Sequence, residues 1–400
     1  MISRRNLLHS AAGFAATGMV ASPWAHAADF VDLPISNGRR PLVKFPQKRP
    51  LIQLTARPPQ LETPFSVFDA GAITPNDAFF VRYHLAGLPT EIDPETYRLE
   101  IKGAVEKPLS LSLDELRTQF DPVEVVAVAQ CSGNSRGLFE PRVVGGQLAN
   151  GAMGNARWKG VPLKAILDRA GIKSGARQVS FEGLDRPVAE GTPEFVKALD
   201  VDQARDGEVM VAYAMNGTDL PWLNGFPIRL VVPGYYGTYW VKHLNEVTVL
   251  TEVFEGFWMK PAYRVPANAC ACTPPGEAPA TTVPITRFDV RSFITNLADG
   301  AKVKAGATLV RGIAFDGGYG ITDVAVSADD GRNWQAAELG TDLGRYSFRE
   351  WRTQLHLNPG AHTLKVRAVN RIGQSQPTQA LWNPTGYMRN VVESVRVTAA

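Results

Sequence analysis

The sequence predicts an α+β protein in two parts, a mixed α/β domain followed by an all-β immunoglobulin-like sandwich. Three observations predict this. Residues 61–265 mix strand-like alternation, as in Tyr97-Arg98-Leu99-Glu100-Ile101, with helix-start signals. A proline-punctuated, alanine-rich stretch at 266–284 (Pro266, Pro274, Pro275, Pro279, Pro284) shifts the composition and reads as a linker. Beyond it, residues 285–400 carry short alternating strands separated by turn signals at about ten-residue intervals. At 400 residues the chain is too long for one simple core, and 44% hydrophobic with 20% charged residues suits a globular protein.

The N-terminus opens with Ser3-Arg4-Arg5-Asn6-Leu7-Leu8, a twin-arginine signature, then a weakly apolar run to about Val20 and a small-x-small site at Ala25-His26-Ala27. Residues 1–27 are therefore expected to be a twin-arginine signal peptide, and the mature chain to start near Ala28 in the periplasm. His9, Ser10, Gly13, Thr17 and Gly18 leave the run too polar to span a bilayer, and no later segment reads as a membrane span. The net charge of +3 falls to +1 once Arg4 and Arg5 are removed; with no basic stripe, nucleic acid is not an expected partner.

Residues 28–60, rich in proline (Pro34, Pro41, Pro46, Pro50, Pro58, Pro59) and basic residues, predict an extended arm lying over a neighbouring surface. Ser112 and Glu115 form a capping box that opens a short helix with Leu113 and Leu116. Pro162 suits the first position of a second helix, in which Leu163, Ile166, Leu167 and Ala170 share a face before Gly171. Val123 to Ala129 and Ile228 to Val232 do not alternate and read as strands buried on both faces. Each runs into a glycine-containing loop, where site residues tend to sit. In the sandwich, Val303, Leu309, Val310 and Ile313 lead to Thr322-Asp323-Val324-Ala325-Val326, a turn at Asp329-Asp330-Gly331, and Leu364 to Val369.

Four segments carry possible chemistry. Gln130-Cys131-Ser132-Gly133-Asn134-Ser135-Arg136 ends a buried strand; its thiol is either a core cysteine or a thiolate favoured by a nearby cation and loop amides, a soft donor suited to a metal. In Phe79-Phe80-Val81-Arg82-Tyr83-His84, Arg82 and His84 share one strand face, either as a solvated rim or as a cationic pair for a small oxyanion. Pro233-Gly234-Tyr235-Tyr236-Gly237-Thr238-Tyr239-Trp240-Val241-Lys242 is either an aromatic packing loop or a phosphate cradle with Lys242 as its charge. Phe257-Trp258-Met259-Lys260-Pro261-Ala262-Tyr263-Arg264 offers a phenol that is either structural or able to gate a proton. Three cysteines leave at least one thiol outside any intrachain disulfide. Cys270 and Cys272 look too close to pair comfortably and are expected as buried free thiols.

Taken in this order and spacing, the four segments resemble the sulfite oxidase family, specifically the bacterial periplasmic sulfite dehydrogenases, over essentially the whole mature chain. The resemblance implies a molybdopterin-binding catalytic domain at 61–265 and a dimerisation-type sandwich at 285–400. It implies one molybdenum held by a pyranopterin dithiolene, oxo ligands and Cys131. It further implies a substrate pocket made by Arg82, His84 and Tyr263, with Arg136 behind it. Cofactor contacts would come from Phe80, Val81, Arg82, Tyr83, His84, Asp185, Arg229, Trp240, Val241 and Lys242, and from Asn224, where animal relatives carry histidine before Gly-Phe-Pro. The implied reaction is oxidation of sulfite to sulfate by oxo transfer. No Cys-x-x-Cys-His or Gly-x-Gly-x-x-Gly segment occurs, so no haem is expected in this chain. A c-type cytochrome is then the expected electron acceptor, either in a heterodimer with this chain or as a diffusing partner of a homodimer. Two rival readings stand beside this one: a methionine sulfoxide reductase-like molybdoenzyme, whose relatives typically lack the sandwich, and a metal-free secreted binding protein with Cys131 in its core.

Overall fold

The computed structural model describes residues 29–400, so the expected leader at 1–27 lies outside the described residues. Five short strands come first: β1 (Phe30–Asp32), β2 (Arg39–Val43), β3 (Leu51–Thr55), β4 (Gln60–Glu62) and β5 (Val81–Arg82). They form one sheet in the order β1-β2-β3-β4-β5. Residues 29–60 thus carry three short strands and the start of a fourth, joined by turns, where their prolines predict an extended arm. Pro41 is held inside β2, and the other prolines fall in the turns between strands, where a missing N–H breaks no ladder.

The chain continues through β6 (Leu99–Gly103), β7 (Leu109–Leu111), α1 (Leu113–Thr118), β8 (Val123–Gln130), β9 (Met153–Pro162) and α2 (Leu163–Ala170). Then follow β10 (Gln178–Gly183), β11 (Val196–Asp200), α3 (Val201–Ala204), β12 (Met210–Met215), β13 (Thr218–Asp219), β14 (Arg229–Val231) and β15 (Leu244–Leu250). One sheet runs β11-β10-β15-β6-β7, with β6 and β15 parallel; a second runs β13-β12-β9-β8, with β14 added against β12. Tyr97, Leu99 and Ile101 are buried and Arg98 and Glu100 exposed, as alternation requires. The Ser112–Glu115 capping box starts α1 with both reciprocal bonds. In α2 the four apolar residues of one face are all buried, each large one contributing about 1.5–3 kcal/mol of transfer free energy. Pro162 ends β9 and caps α2 from outside, one residue earlier than expected. Strand β8 is exposed at Val123 and Glu124 and becomes fully buried from Val126 onward, so the buried stretch points straight at Cys131.

Two strands, β16 (Arg264–Pro266) and β17 (Thr282–Pro284), pair antiparallel, so the expected linker at 266–284 is a loop closed at its base. Within it Cys270 and Cys272 form a disulfide, correcting the expectation of buried free thiols. Cys270 is exposed. A left-handed turn at Ala271 (φ 47°) sets the two Cα atoms 5.1 Å apart, a separation that a disulfide spans.

The sandwich comprises β18 (Arg291–Ile294), β19 (Ala301–Val303), β20 (Gly306–Phe315), β21 (Ile321–Ser327), β22 (Gln335–Ala336), β23 (Glu338–Leu339), β24 (Arg349–Leu357), β25 (Gly360–Asn370) and β26 (Glu393–Ala399). Its sheets run β18-β20-β24-β23 and β19-β26-β25-β21-β22, around Trp351, Val310, Leu357, Leu364 and Val366. A further core spans both domains: Phe68, Val128 and Tyr236 pack with Ile285, Phe293, Phe315 and Phe348. The sandwich therefore backs the strand that ends at Cys131. Thiol titration of the denatured chain is expected to find one free thiol before reduction, Cys131, and three after it; three before reduction would refute the disulfide.

Candidate active site

Cys131 follows directly on β8 and is buried, 8% exposed. Its N–H donates to the Ala152 carbonyl (2.9 Å), continuing the β8–β9 ladder, while its carbonyl accepts from Asn134 N (3.0 Å) and turns the chain. Asn134 Oδ1 accepts from Ala152 N (2.9 Å). Ser135 then takes a left-handed backbone, φ 71°, sparsely populated for a residue with a side chain. It is pinned there: its N–H donates to Ala149 O (2.6 Å), its hydroxyl donates to Asn150 Oδ1 (2.6 Å), and Arg291 of the sandwich donates to that hydroxyl (3.0 Å). From the first sheet, buried Glu62 accepts Ala149 N–H on both carboxylate oxygens, at 2.7 and 3.2 Å.

Cys131 opens into a pocket. The expected residues Phe80, Arg82, Tyr83, His84, Asp185, Asn224, Arg229, Trp240, Lys242 and Tyr263 all line it with Cys131. Strand β5 stops at Arg82; Arg82 and His84 are half-buried at the pocket, the buried Tyr83 between them also lines it, and Val81 and Leu85 turn into the core. Val81 and Val241, expected as cofactor contacts, do not line the pocket. Val81 packs with Leu51 and Leu61 and is paired with Leu61 in the β4–β5 ladder, while Val241 lies in the main core, its N–H donating to Tyr239 O (3.0 Å) and its carbonyl accepting from Leu230 N (2.8 Å). Arg136 stands behind the pocket: its Nε donates to the Thr385 carbonyl (3.0 Å) and its guanidinium lies over Tyr387 (4.7 Å).

Three basic side chains, Arg82, Arg229 and Lys242, face one carboxylate, Asp185, in this lining. Arg229 donates to the carbonyls of Asn224 (2.9 Å) and Trp240 (3.1 Å), and burial lowers its pKa to about 10. Lys242 donates to Arg82 O (2.5 Å) and sits over the Tyr83 ring (4.1 Å); burial and the Arg229 charge push its pKa down, against the pull of Asp185. Burial, followed by the charges of Arg82, Lys242 and Lys197, holds His84 well below its usual value, so its imidazole is neutral at pH 7. His84 Nε2 is hydrogen-bonded to the Tyr263 hydroxyl. Burial raises the Tyr263 phenol, which keeps its proton. Asn224 has its amide engaged by protein, accepting from Lys48 Nζ and donating to Phe80 O (3.1 Å). It therefore braces the pocket wall from within.

Phe79, Ala129, Ser132, Phe195, Gly237 and Thr238 also line the pocket. Ser132 and Thr238 lay inside the motifs read above. Phe195 stacks on His84 at 3.8 Å, and Lys48 and Lys197 are buried supports; none of these three stands in a recognisable pattern.

The pocket suits a polar, anionic heterocycle carrying a metal. Ser132 Oγ, Thr238 Oγ1 and Arg229 Nε are buried without a protein partner. Gly237 lets the loop backbone close on Gln130 and Cys131, where a β-carbon would stand 3.1 Å from Gln130 O. Cys131 is the soft donor of the lining, and no group of three or more His, Cys, Asp or Glu forms a metal site among the described residues, so further donors would come from the cofactor.

Known families agree with this geometry. The description "Oxidoreductase molybdopterin binding domain" matches residues 85–258, and "Mo-co oxidoreductase dimerisation domain" matches residues 282–400. Fold and site thus define a molybdopterin-dependent oxidoreductase with a dimerisation domain. Sulfite oxidase of Macaca fascicularis is 34% identical over 379 residues, covering 90% of this chain and 68% of that protein. Sulfite oxidase of Gallus gallus is 33% identical over 87% of this chain and 78% of its own. The chain belongs to the sulfite oxidase family. It spans 66% of the length of the Rattus norvegicus enzyme, at 33% identity. The sulfane dehydrogenase SoxCD of Paracoccus pantotrophus shares the fold with a TM-score of 0.72 at 25% identity, over 96% of this chain and 92% of that one.

Burial lifts the Glu62 carboxyl from its usual 4.5 to about 7, opposed by the Ala149 N–H. Because the folded-state value is the higher one, its stability contribution is full below about pH 4.5 and is lost as pH rises through about 7. Glu62→Gln removes this titration while keeping an acceptor for Ala149. Thermal melts of the variant and wild type are expected to diverge in the variant's favour between pH 4.5 and 7, by up to roughly 3 kcal/mol. A pH-independent difference would contradict the assignment.

Proposed function

We propose that the chain oxidises sulfite to sulfate in the periplasm, after twin-arginine export, and passes the electrons to a c-type cytochrome. The observation that carries the proposal is the cationic lining of Arg82, Arg229 and Lys242 around one buried thiol, Cys131. Cys131 would hold the molybdenum, and Arg229, Lys242, Ser132 and Thr238 would hold the pterin and its phosphate. When bound, that group supplies oxygen-atom transfer and takes up two electrons.

The protein's own part is binding and orientation. Arg82 attracts the sulfite anion in a partly desolvated pocket, where charge-assisted hydrogen bonds gain weight. Neutral His84, as its Nε2–H tautomer, donates to Tyr263 Oη and leaves the phenol proton free to hold a sulfite oxygen. Phe195 and Trp258, packed against His84 at 3.8 and 4.9 Å between ring centroids, limit water around this pair. The export step is supported by the twin-arginine leader, and the cytochrome acceptor by the lack of any haem-attachment or dinucleotide motif in the sequence. The likeness to a sulfane dehydrogenase favours one second reading, a sulfane sulfur in place of sulfite.

Sulfite-dependent reduction of cytochrome c by molybdenum-loaded protein tests the proposal, with thiosulfate as the alternative donor. Cys131→Ser is expected to abolish turnover while the protein still folds. Arg82→Gln is expected to raise the KM for sulfite by about tenfold or more, the loss of one charge-assisted contact. Retained turnover in the first variant, or an unchanged KM in the second, would refute these roles. Replacing Arg4 and Arg5 with lysine should leave the unprocessed chain in the cytoplasmic fraction; normal processing would refute the export route.

A further inference from the structure

Tyr387 lies in the sandwich domain, on the segment between β25 and β26, and none of the functional motifs includes it. Its ring is stacked on that of Tyr263, with centroids 5.4 Å apart and planes within 6°. The guanidinium of Arg136 lies 4.7 Å from the centroid of the same ring. One aromatic side chain from the second domain thus touches both the phenol at the pocket wall and the arginine behind Cys131.

The segment is built to hold this ring still. Asn383 Oδ1 accepts from Thr385 N (3.2 Å), Thr385 Oγ1 (2.7 Å) and Tyr387 N (3.3 Å), and Asn383 Nδ2 donates to the Tyr387 carbonyl (2.8 Å). Gly386, at φ 62°, lets the backbone close on Arg136; a β-carbon there would stand 2.8 Å from Arg136 Cγ. On the other side Gly133 and Gly145 make room for the guanidinium, each being a position where a β-carbon would stand 3.0 Å or less from Arg136 Nη1.

A ring face suits this place better than a carboxylate would. It attracts the guanidinium through its quadrupole yet leaves the positive charge uncancelled and available to an anion. Tyr263 also needs an external hold, because its backbone lies in the left-handed region at φ 59°.

We propose that Tyr387 is a positioning residue of the substrate pocket, supplied by the sandwich domain, which holds Arg136 and Tyr263 together for a small oxyanion. The proposal rests on the reading of the pocket as an oxyanion site. Its test compares wild type, Tyr387→Leu and Tyr387→Phe as molybdenum-loaded holoenzymes. Steady-state kinetics with sulfite are paired with calorimetric binding of sulfate, a non-reacting oxyanion probe. For Tyr387→Leu, the KM for sulfite and the Kd for sulfate are both expected to rise about tenfold, with kcat within about threefold and molybdenum content and Tm unchanged. Tyr387→Phe keeps the ring and should stay within about twofold of wild type on both.

Wild-type affinities in Tyr387→Leu, or a Tyr387→Phe variant as impaired as Tyr387→Leu, would overturn the proposal. Should Tyr387→Leu fail to fold, Gly386→Ala displaces Arg136 while keeping the ring, and unchanged sulfate binding would then overturn it. Wild type that binds sulfate but does not turn over sulfite rejects the sulfite reading alone, and the sulfate comparison still decides Tyr387. Wild type that binds no sulfate overturns the oxyanion site and Tyr387's role together.

Discussion

Everything at this site depends on a turn held under strain. Strand β8 delivers Cys131 from a fully buried stretch, and the chain must then reverse through a left-handed Ser135. Such a conformation persists only where its surroundings over-determine it. Here three sources do so: the β9 ladder through Ala152, the Glu62 carboxylate of the first sheet through Ala149, and Arg291 of the sandwich through the Ser135 hydroxyl. The strands at the N-terminus and the sandwich at the C-terminus are therefore parts of one clamp around a thiol. The shared core of Phe68, Val128, Tyr236, Phe293 and Phe315 explains how the second domain can bear on the turn at all.

The second constraint is electrostatic. Arg229, Lys242, Lys48 and Lys197 are removed from water within or just behind one pocket, with Asp185 the single carboxylate in the lining. Burial pushes the three lysines down to about 7, so that the positive charge rests chiefly on the arginines. Burying each such charge costs several kcal/mol. The protein offsets part of this with carbonyl acceptors and aromatic faces: Lys197 donates to Trp258 O (2.6 Å) and lies over Tyr239 and Tyr263, and Arg229 lies over Trp158 and Trp240. Neither acceptor type neutralises the charge. What remains is a positive potential in a low-dielectric cavity, the condition under which a small anion and a phosphate-bearing cofactor are both favoured.

Much of this was legible in the sequence wherever the signal is local. The alternation of Tyr97 to Ile101, the Ser112–Glu115 box and the face of Leu163, Ile166 and Leu167 follow from short-range periodicity, and all three appear as read. The pocket lining was legible in part from motifs at strand ends, which hold Phe80, Arg82, Tyr83, His84, Cys131, Trp240, Lys242 and Tyr263, while Asp185, Asn224 and Arg229 came only from the family resemblance. What escaped is set by tertiary contact. The first three strands are too short and proline-broken to show a period, and they exist because neighbours pair with them. The Cys270–Cys272 bond depends on a turn at Ala271 that spacing alone does not reveal. Val81 and Val241 sit within site motifs yet pack into the core, a placement set by their tertiary neighbours. Lys48, Lys197 and Tyr387 reach the site from distant segments and carry no motif.

The central claim is that the buried thiol at the end of β8 is the protein's own donor to molybdenum. X-ray absorption at the molybdenum edge tests it most directly, with wild-type holoenzyme compared with Cys131→Ser. The account predicts one sulfur scatterer fewer in the variant, with the dithiolene sulfurs still present. Identical sulfur coordination in the two proteins would contradict it.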